Sequence, residues 1–193
     1  MLNRLVLLLV LLPTFVGAQD IQSITTSFDL DMDCVWNEDM PDGESATCKG
    51  LDDTLVYVLM GDNRIYIGYG DAPAQISFPG SINAFTGIHP ILEWRLINGR
   101  PFASISHWTI ESMNADGIWS IENDLFVVST VSDGALRQSC QVGYVDMPAN
   151  PDPSALAREL ADKSARGFRC GIDIPAYVGL GGGPVTVSVE LSR

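Results

Sequence analysis

Positive charge is what this chain has least of: eleven Lys and Arg stand against twenty-four Asp and Glu in 193 residues, a net charge of −13. Phosphate backbones and anionic lipid surfaces are held chiefly by Lys and Arg, so this balance argues against nucleic acid as a partner. Histidine is scarcer still, with only His89 and His107. There is no His-Glu-x-x-His, no Cys-x-x-Cys or Cys-x-x-His, and no Gly-x-Ser-x-Gly. Those absences remove the short-range signatures of zinc hydrolases, structural zinc sites and α/β-hydrolases. The glycine-rich stretches "GYGDAP" and "GLGGGP" lack the third glycine and the strand-to-helix setting of a dinucleotide turn, so no cofactor is expected. Asp52 and Asp53 are adjacent and on a strand would point to opposite faces, which is no geometry for flanking a glycosidic bond. A Ser-His-Asp triad built from distant residues leaves no such local trace.

Long apolar runs are confined to the first residues. "MLNRLVLLLVLLPTFVGAQD" has Arg4, an unbroken apolar run from Leu5 to Leu12 and the small residues Val16-Gly17-Ala18. It reads as a secretory signal peptide, residues 1–18, cleaved after Ala18. The residue after the cleavage site is Gln19, not cysteine, and no later stretch is long and apolar enough to span a bilayer, so neither a lipid anchor nor membrane insertion is expected. The expected location is periplasmic or extracellular. Losing Arg4 leaves ten bases against twenty-four acids, net −14, and residues 19–53 hold ten of those acids with Lys49 as their only base.

Four cysteines, Cys34, Cys48, Cys140 and Cys170, then meet an oxidising compartment, where an even number reads as two disulfides. Of the three pairings, Cys34 with Cys48 and Cys140 with Cys170 is favoured because each closes a local loop. The first loop would contribute up to about 3 kcal/mol by constraining the unfolded chain.

From Thr54 onward the pattern is β, with Val, Ile, Tyr, Phe and Trp runs broken by short turns. "TLVYVLM" and "RIYIGYG" flank Gly61-Asp62-Asn63, and "ILEWRLI" and "PFASISHWTIESM" flank Asn98-Gly99, the pair best suited to a type I′ turn. Asp116-Gly117 and Asp133-Gly134 introduce the next strands. Strands joined by tight turns are antiparallel neighbours, so the expectation is an α+β domain: an antiparallel β-meander of about six strands with one packed C-terminal helix and two disulfides. Pairing Ile97 with Arg100 places Trp94 opposite Ala103 and Leu92 opposite Ile105 on the core face. The other face would carry Glu93, Arg95, Phe102, Ser104, Ser106 and Trp108, with Arg95 over the Phe102 ring. The helix lies in "NPDPSALARELADKSARGF", capped by Asp152, opened by Pro153 and closed by Gly167 in a left-handed conformation. Leu156, Leu160, Ala157, Ala161 and Ala165 form its apolar stripe, and Arg158 with Asp162 and Glu159 with Lys163 its four-apart ion pairs. The organisation is thus an acidic, disulfide-closed segment (residues 19–53), a meander with its helix (54–178), and a glycine-rich break with a final strand, "VTVSVEL" (179–193).

Three candidate regions follow. Arg95, Phe102 and Trp108 on the mixed face form one interaction surface. Phe78 and Phe85 in the long connection from Ser77 to Pro90 form another, since long loops in compact domains are often functional. Asp29, Asp31 and Asp33 are weak metal candidates: counted as an EF-hand, positions 6 and 12 fall on Cys34 and Met40 and fail, and on a strand Asp29 and Asp33 would lie about 13 Å apart. His107, in a strand between Ser106 and Trp108, reads as structural.

The signal peptide, the "CVW" segment, the hairpin "EWRLINGRPFA" and the ending "CQVGYVDMPANPDPSALARELADKSARGFRC" together resemble small uncharacterised periplasmic proteins of alphaproteobacteria. The resemblance covers most of the exported chain and implies envelope localisation, with no functional residue to carry over. The functional expectation is a non-enzymatic binding or interaction domain of the cell envelope, its partner an envelope protein or a small molecule. The alternatives are a small-ligand carrier with a curled sheet and a hydrolase without a recognisable motif.

Overall fold

The computed structural model describes residues 20–37, 44–61, 64–70, 82, 84–134 and 139–179. The signal-peptide region, Phe78 and the final "VTVSVEL" segment lie outside them. Among these described residues, ten strands and one α-helix follow in the order β1 (Ile21–Ser27), β2 (Cys34–Asn37), β3 (Glu44–Lys49), β4 (Leu55–Gly61), β5 (Arg64–Gly70), β6 (Phe85–Ile97), β7 (Arg100–Met113), β8 (Trp119–Thr130), β9 (Gln141–Asp146), α1 (Pro153–Ser164) and β10 (Ala176–Val178).

Instead of one six-stranded meander, the strands make two sheets. One has the order β1-β6-β7-β8-β9-β10 and the other β2-β3-β4-β5. Within these two sheets the described strand pairs are antiparallel except β9 with β10, which is parallel because α1 crosses between them. Gly143 makes this last pairing close: a Cβ there would meet the Ala176 carbonyl oxygen at 2.5 Å and Leu160 at 2.9 Å.

Side chains from both sheets share one core. Val56, Val58, Ile67 and Tyr69 of the smaller sheet pack with Leu92, Trp94, Trp108, Leu125, Val127 and Tyr144 of the larger. Tyr69 meets Trp94 edge-on at 5.6 Å. On the opposite side of the larger sheet, Ala103, Ile105, Val128, Val142 and Val145 receive Ala157, Ala161 and Ala165. The alanines are completely buried, and such small side chains let the helix approach the sheet closely. The layers are therefore helix, six-stranded sheet and four-stranded sheet.

The Asn98-Gly99 turn forms as expected, with φ of 53° and 77° and Ile97 opposite Arg100. The register then slips by one residue, so that Arg95 faces Ala103, Trp94 faces Ser104 and Leu92 faces Ser106. Phe102 is the extra residue of a bulge, and both Phe102 and Ala103 join the helix-side cluster. A one-residue slip exchanges the faces of everything beyond it. Ser104, Ser106 and Trp108 consequently enter the core between the sheets, where the Trp108 Nε1–H donates to Ser106 Oγ at 2.9 Å. Ala103 and Ile105 turn to the helix.

The helix begins as read from the sequence, with Asp152 accepting the Ala155 N–H at 3.0 Å and Pro153 opening the first turn. Its end differs: it tightens into a 3-10 turn over Ala165–Gly167, and the left-handed glycine lies further on at Gly171, φ 75°. Both disulfides join the expected partners. Cys34–Cys48 ties the registered neighbours of the β2–β3 hairpin, and Cys140–Cys170 fastens the start of β9 to the segment after the helix. Two disulfides fit an extracellular or periplasmic location. No helix of the described residues is long and apolar enough to cross a membrane.

Candidate functional site

The surface of Arg95, Phe102 and Trp108 expected from the unslipped register is not assembled. All three are buried. Arg95 reaches the helix, where its Nε and Nη2 donate to Asp162 at 2.8 and 2.6 Å, and it also donates to Ser23 of β1. Glu93 beside it accepts from Arg158 at 2.7 and 3.0 Å and from Ser23. Arg158 and Asp162 therefore pair with the sheet, leaving Glu159 with Lys163 as the ion pair within the helix. Burial alone would push the Glu93 carboxyl up, but the hydrogen bonds from Arg158 and Ser23 and the Arg158 and Arg95 charges outweigh it and hold the carboxyl low. The guanidinium over Phe102 is that of Arg166, 5.9 Å from the ring centroid.

Asp29, Asp31 and Asp33 lie in a turn, not a strand. Asp29 Oδ1 accepts the N–H groups of Asp31 and Met32, and Asp33 Oδ2 accepts that of Asp29. These carboxylates of Asp29 and Asp33 satisfy turn backbone, the common use of aspartate where a chain reverses.

What the structure does gather lies at the outer end of the larger sheet, where β6, β7 and β8 run beyond the helix as a three-stranded ribbon. The turn at its tip is held by Asn114, whose Oδ1 accepts from Asp116 N and Ile118 N at 3.0 and 2.9 Å, while Gly117 supplies a φ of 78°. Register puts Met113 across from Trp119, Ile121 across from Glu111 and Phe85 across from Glu111, all on one face. Four large apolar side chains there are solvent-exposed: Met113 53%, Ile118 62%, Trp119 43% and Ile121 61%. Phe85, half-buried, meets the Trp119 ring edge-on at 5.2 Å. The charge around them has one sign, since residues 101–134 hold Glu111, Asp116, Glu122, Asp124 and Asp133 and no Lys or Arg. Hydrogen bonds from Ser112 and Ser120 hold the exposed Glu122 carboxyl below its ordinary range. The β8 edge over Trp119–Asn123 has no strand beside it on the β9 side among the described residues, because β9 pairs only with Leu125–Ser129.

At the base of this ribbon the two histidines of the chain come together. A second bulge, spanning His89 to Ile91, shifts β6 against β7 and brings the His89 ring onto that of His107, with centroids 3.8 Å apart and planes 5° from parallel. His107 Nε2 lies 2.6 Å from Asp124 Oδ1 on β8, and the Phe126 ring sits 5.8 Å from the His107 ring. One donor atom from each of His89, His107 and Asp124 falls within 4.8 Å of the others. The scarcity of histidine was the signal for this cluster, but the simple register from the Asn98-Gly99 turn sets His107 opposite Pro90, and only the bulge brings His89 to it. Among the described residues no hydroxyl is hydrogen-bonded to either ring: the Thr109 hydroxyl, one strand step away, is given to Glu111 at 2.9 Å.

Comparison of the chain with protein-family models, with curated proteins and with solved structures finds no match.

Proposed function

We propose that this protein is an exported, non-enzymatic interaction domain of the cell envelope, and that it binds a cationic, partly apolar surface of a partner protein through the outer β6–β7–β8 ribbon. The observation that carries the reading is the exposed group Met113, Ile118, Trp119 and Ile121, set among acids with no base between residues 101 and 134. Contiguous apolar side chains rimmed by charge mark interaction sites, and aromatic residues and Met are enriched in interface cores. The uniform negative rim selects a basic partner and steers its approach. The open β8 edge offers backbone groups to a strand from that partner. The two disulfides support the export half of the reading.

The test is capture from envelope extract by the oxidised, exported protein and by an Ile118→Asp, Ile121→Asp variant. Both positions are exposed, so the variant should melt as the unaltered protein does. The unaltered protein should retain a basic protein that the variant loses and that moderate salt releases, since salt screens surface charge. Equal capture by both proteins would contradict the reading. So would turnover of an ester, peptide or glycoside substrate that His107→Ala abolishes.

A further inference from the structure

We propose that His89, His107 and Asp124 bind one divalent transition-metal ion of the zinc and copper class. Two imidazole nitrogens and one carboxylate oxygen are a donor set suited to such ions. Calcium is disfavoured, because it takes six to eight oxygen ligands and two of these three donors are nitrogen. The three donor atoms already lie within 4.8 Å of one another. Metal bonds of about 2.0–2.2 Å in tetrahedral geometry place donors roughly 3.4 Å apart, so the site closes by side-chain rotation with the strands in place.

His107 is oriented by Asp124 on one side and Phe126 on another. His89 is exposed in the bulge between Ile88 and Leu92, and its ring is the one that turns out of the parallel stack to direct a nitrogen at the ion. The metal takes the place of the proton shared between His107 Nε2 and Asp124 Oδ1, which leaves to solvent. Residues 101–134 contain no Lys or Arg to repel a cation. All four cysteines are in disulfides, so no thiolate competes for the ion. Three protein ligands leave a coordination position for water, as in metal sites that stay open.

The inference stands apart from the interaction reading, since neither the partner nor the apolar tip enters it. It is tested on the oxidised, exported protein without a histidine tag, stripped with chelator, by calorimetric titration with zinc chloride at pH 7.5. In parallel, the imidazole resonances of the two histidines are followed by NMR. One ion per chain should bind and both imidazoles should shift, whereas calcium chloride should leave both unmoved. Losing even an outer-shell partner of a metal costs about 10–100-fold in affinity, so His89→Gln and Asp124→Asn should each weaken zinc by at least about tenfold. The proposal is overturned if no 1:1 binding is seen, if the imidazole resonances stay where they are, or if both variants bind zinc as the unaltered protein does. The last result would assign the ion to carboxylates elsewhere. The NMR arm needs no substitution, so a misfolded variant does not obscure the answer.

Discussion

Under the helix, Glu93 and Arg95 stand two residues apart on β6 and each reaches a charged partner one turn apart on α1. Ala103, opposite Arg95, is small enough to leave room for the guanidinium. Arg95 is 8% exposed, and a buried charge left alone is costly. Asp162→Ala should therefore destabilise the protein by about 2–3 kcal/mol, short of the ~3–5 kcal/mol for a fully buried pair because Ser23 and Glu93 stay beside Arg95. Urea unfolding checks this through a lower midpoint at unchanged slope. Glu93 adds a pH dependence. Its folded carboxyl is held below the ordinary 4.5, so its contribution is fully present above that value and is lost as pH falls through the folded pKa. The stability difference between the unaltered protein and Glu93→Gln should accordingly shrink as pH drops below about 4.5; a difference constant from pH 7 to pH 3 would contradict the pairing. Little of this was legible beforehand. The turn pairs Ile97 with Arg100 as expected, but Phe102 occupies a bulge that no residue type announces, and one inserted residue exchanges the faces expected for Ala103, Ser104, Ile105, Ser106 and Trp108, while Arg95 keeps its face and is covered by the helix.

Among the elements, those with strong end signals were read well. Asn98-Gly99, Asp116-Gly117, and Asp152-Pro153 mark their turns and the helix start because few residues tolerate those backbone conformations or satisfy those N–H groups. β1, β2, β3 and β10 are not legible as strands: "IQSITTS" is mostly polar because it is an edge strand, β2 and β3 lie inside the acidic segment that reads only as a disulfide-closed loop, and "AYV" is only three residues long. The division into two sheets was missed as well. Tight turns specify which strands are neighbours, whereas the stacking of β2–β5 on the larger sheet depends on which apolar faces meet. The Cys140–Cys170 bridge encloses the whole helix, so its loss enlarges the unfolded ensemble and also frees the helix's far end. The Cys140→Ser, Cys170→Ser double variant should lose about 2–5 kcal/mol, the usual cost for a native bridge in a small secreted domain. Amide exchange should rise first in α1 and β10. Peptide mapping of the unreduced protein checks the pairing directly, and a Cys34–Cys140 or Cys48–Cys170 peptide would overturn it.

At the scale of the whole molecule, an acidic chain is folded into three layers, and the larger sheet extends beyond its helix. That overhang displays the apolar tip and, at its base, the two histidines. Exposed apolar side chains also occur at Ile172 and Ile174 beyond the helix, so the assignment of the binding face to the ribbon makes a comparative claim. It is tested most directly by site-specific photo-crosslinking in the intact envelope, with p-benzoylphenylalanine replacing Ile118, Ile121, Ile174 or Glu159 one at a time. The account predicts a discrete protein adduct from positions 118 and 121, weakened by salt and not formed from 159 or 174. Adducts from position 174 alone, or equally from all four, would contradict it.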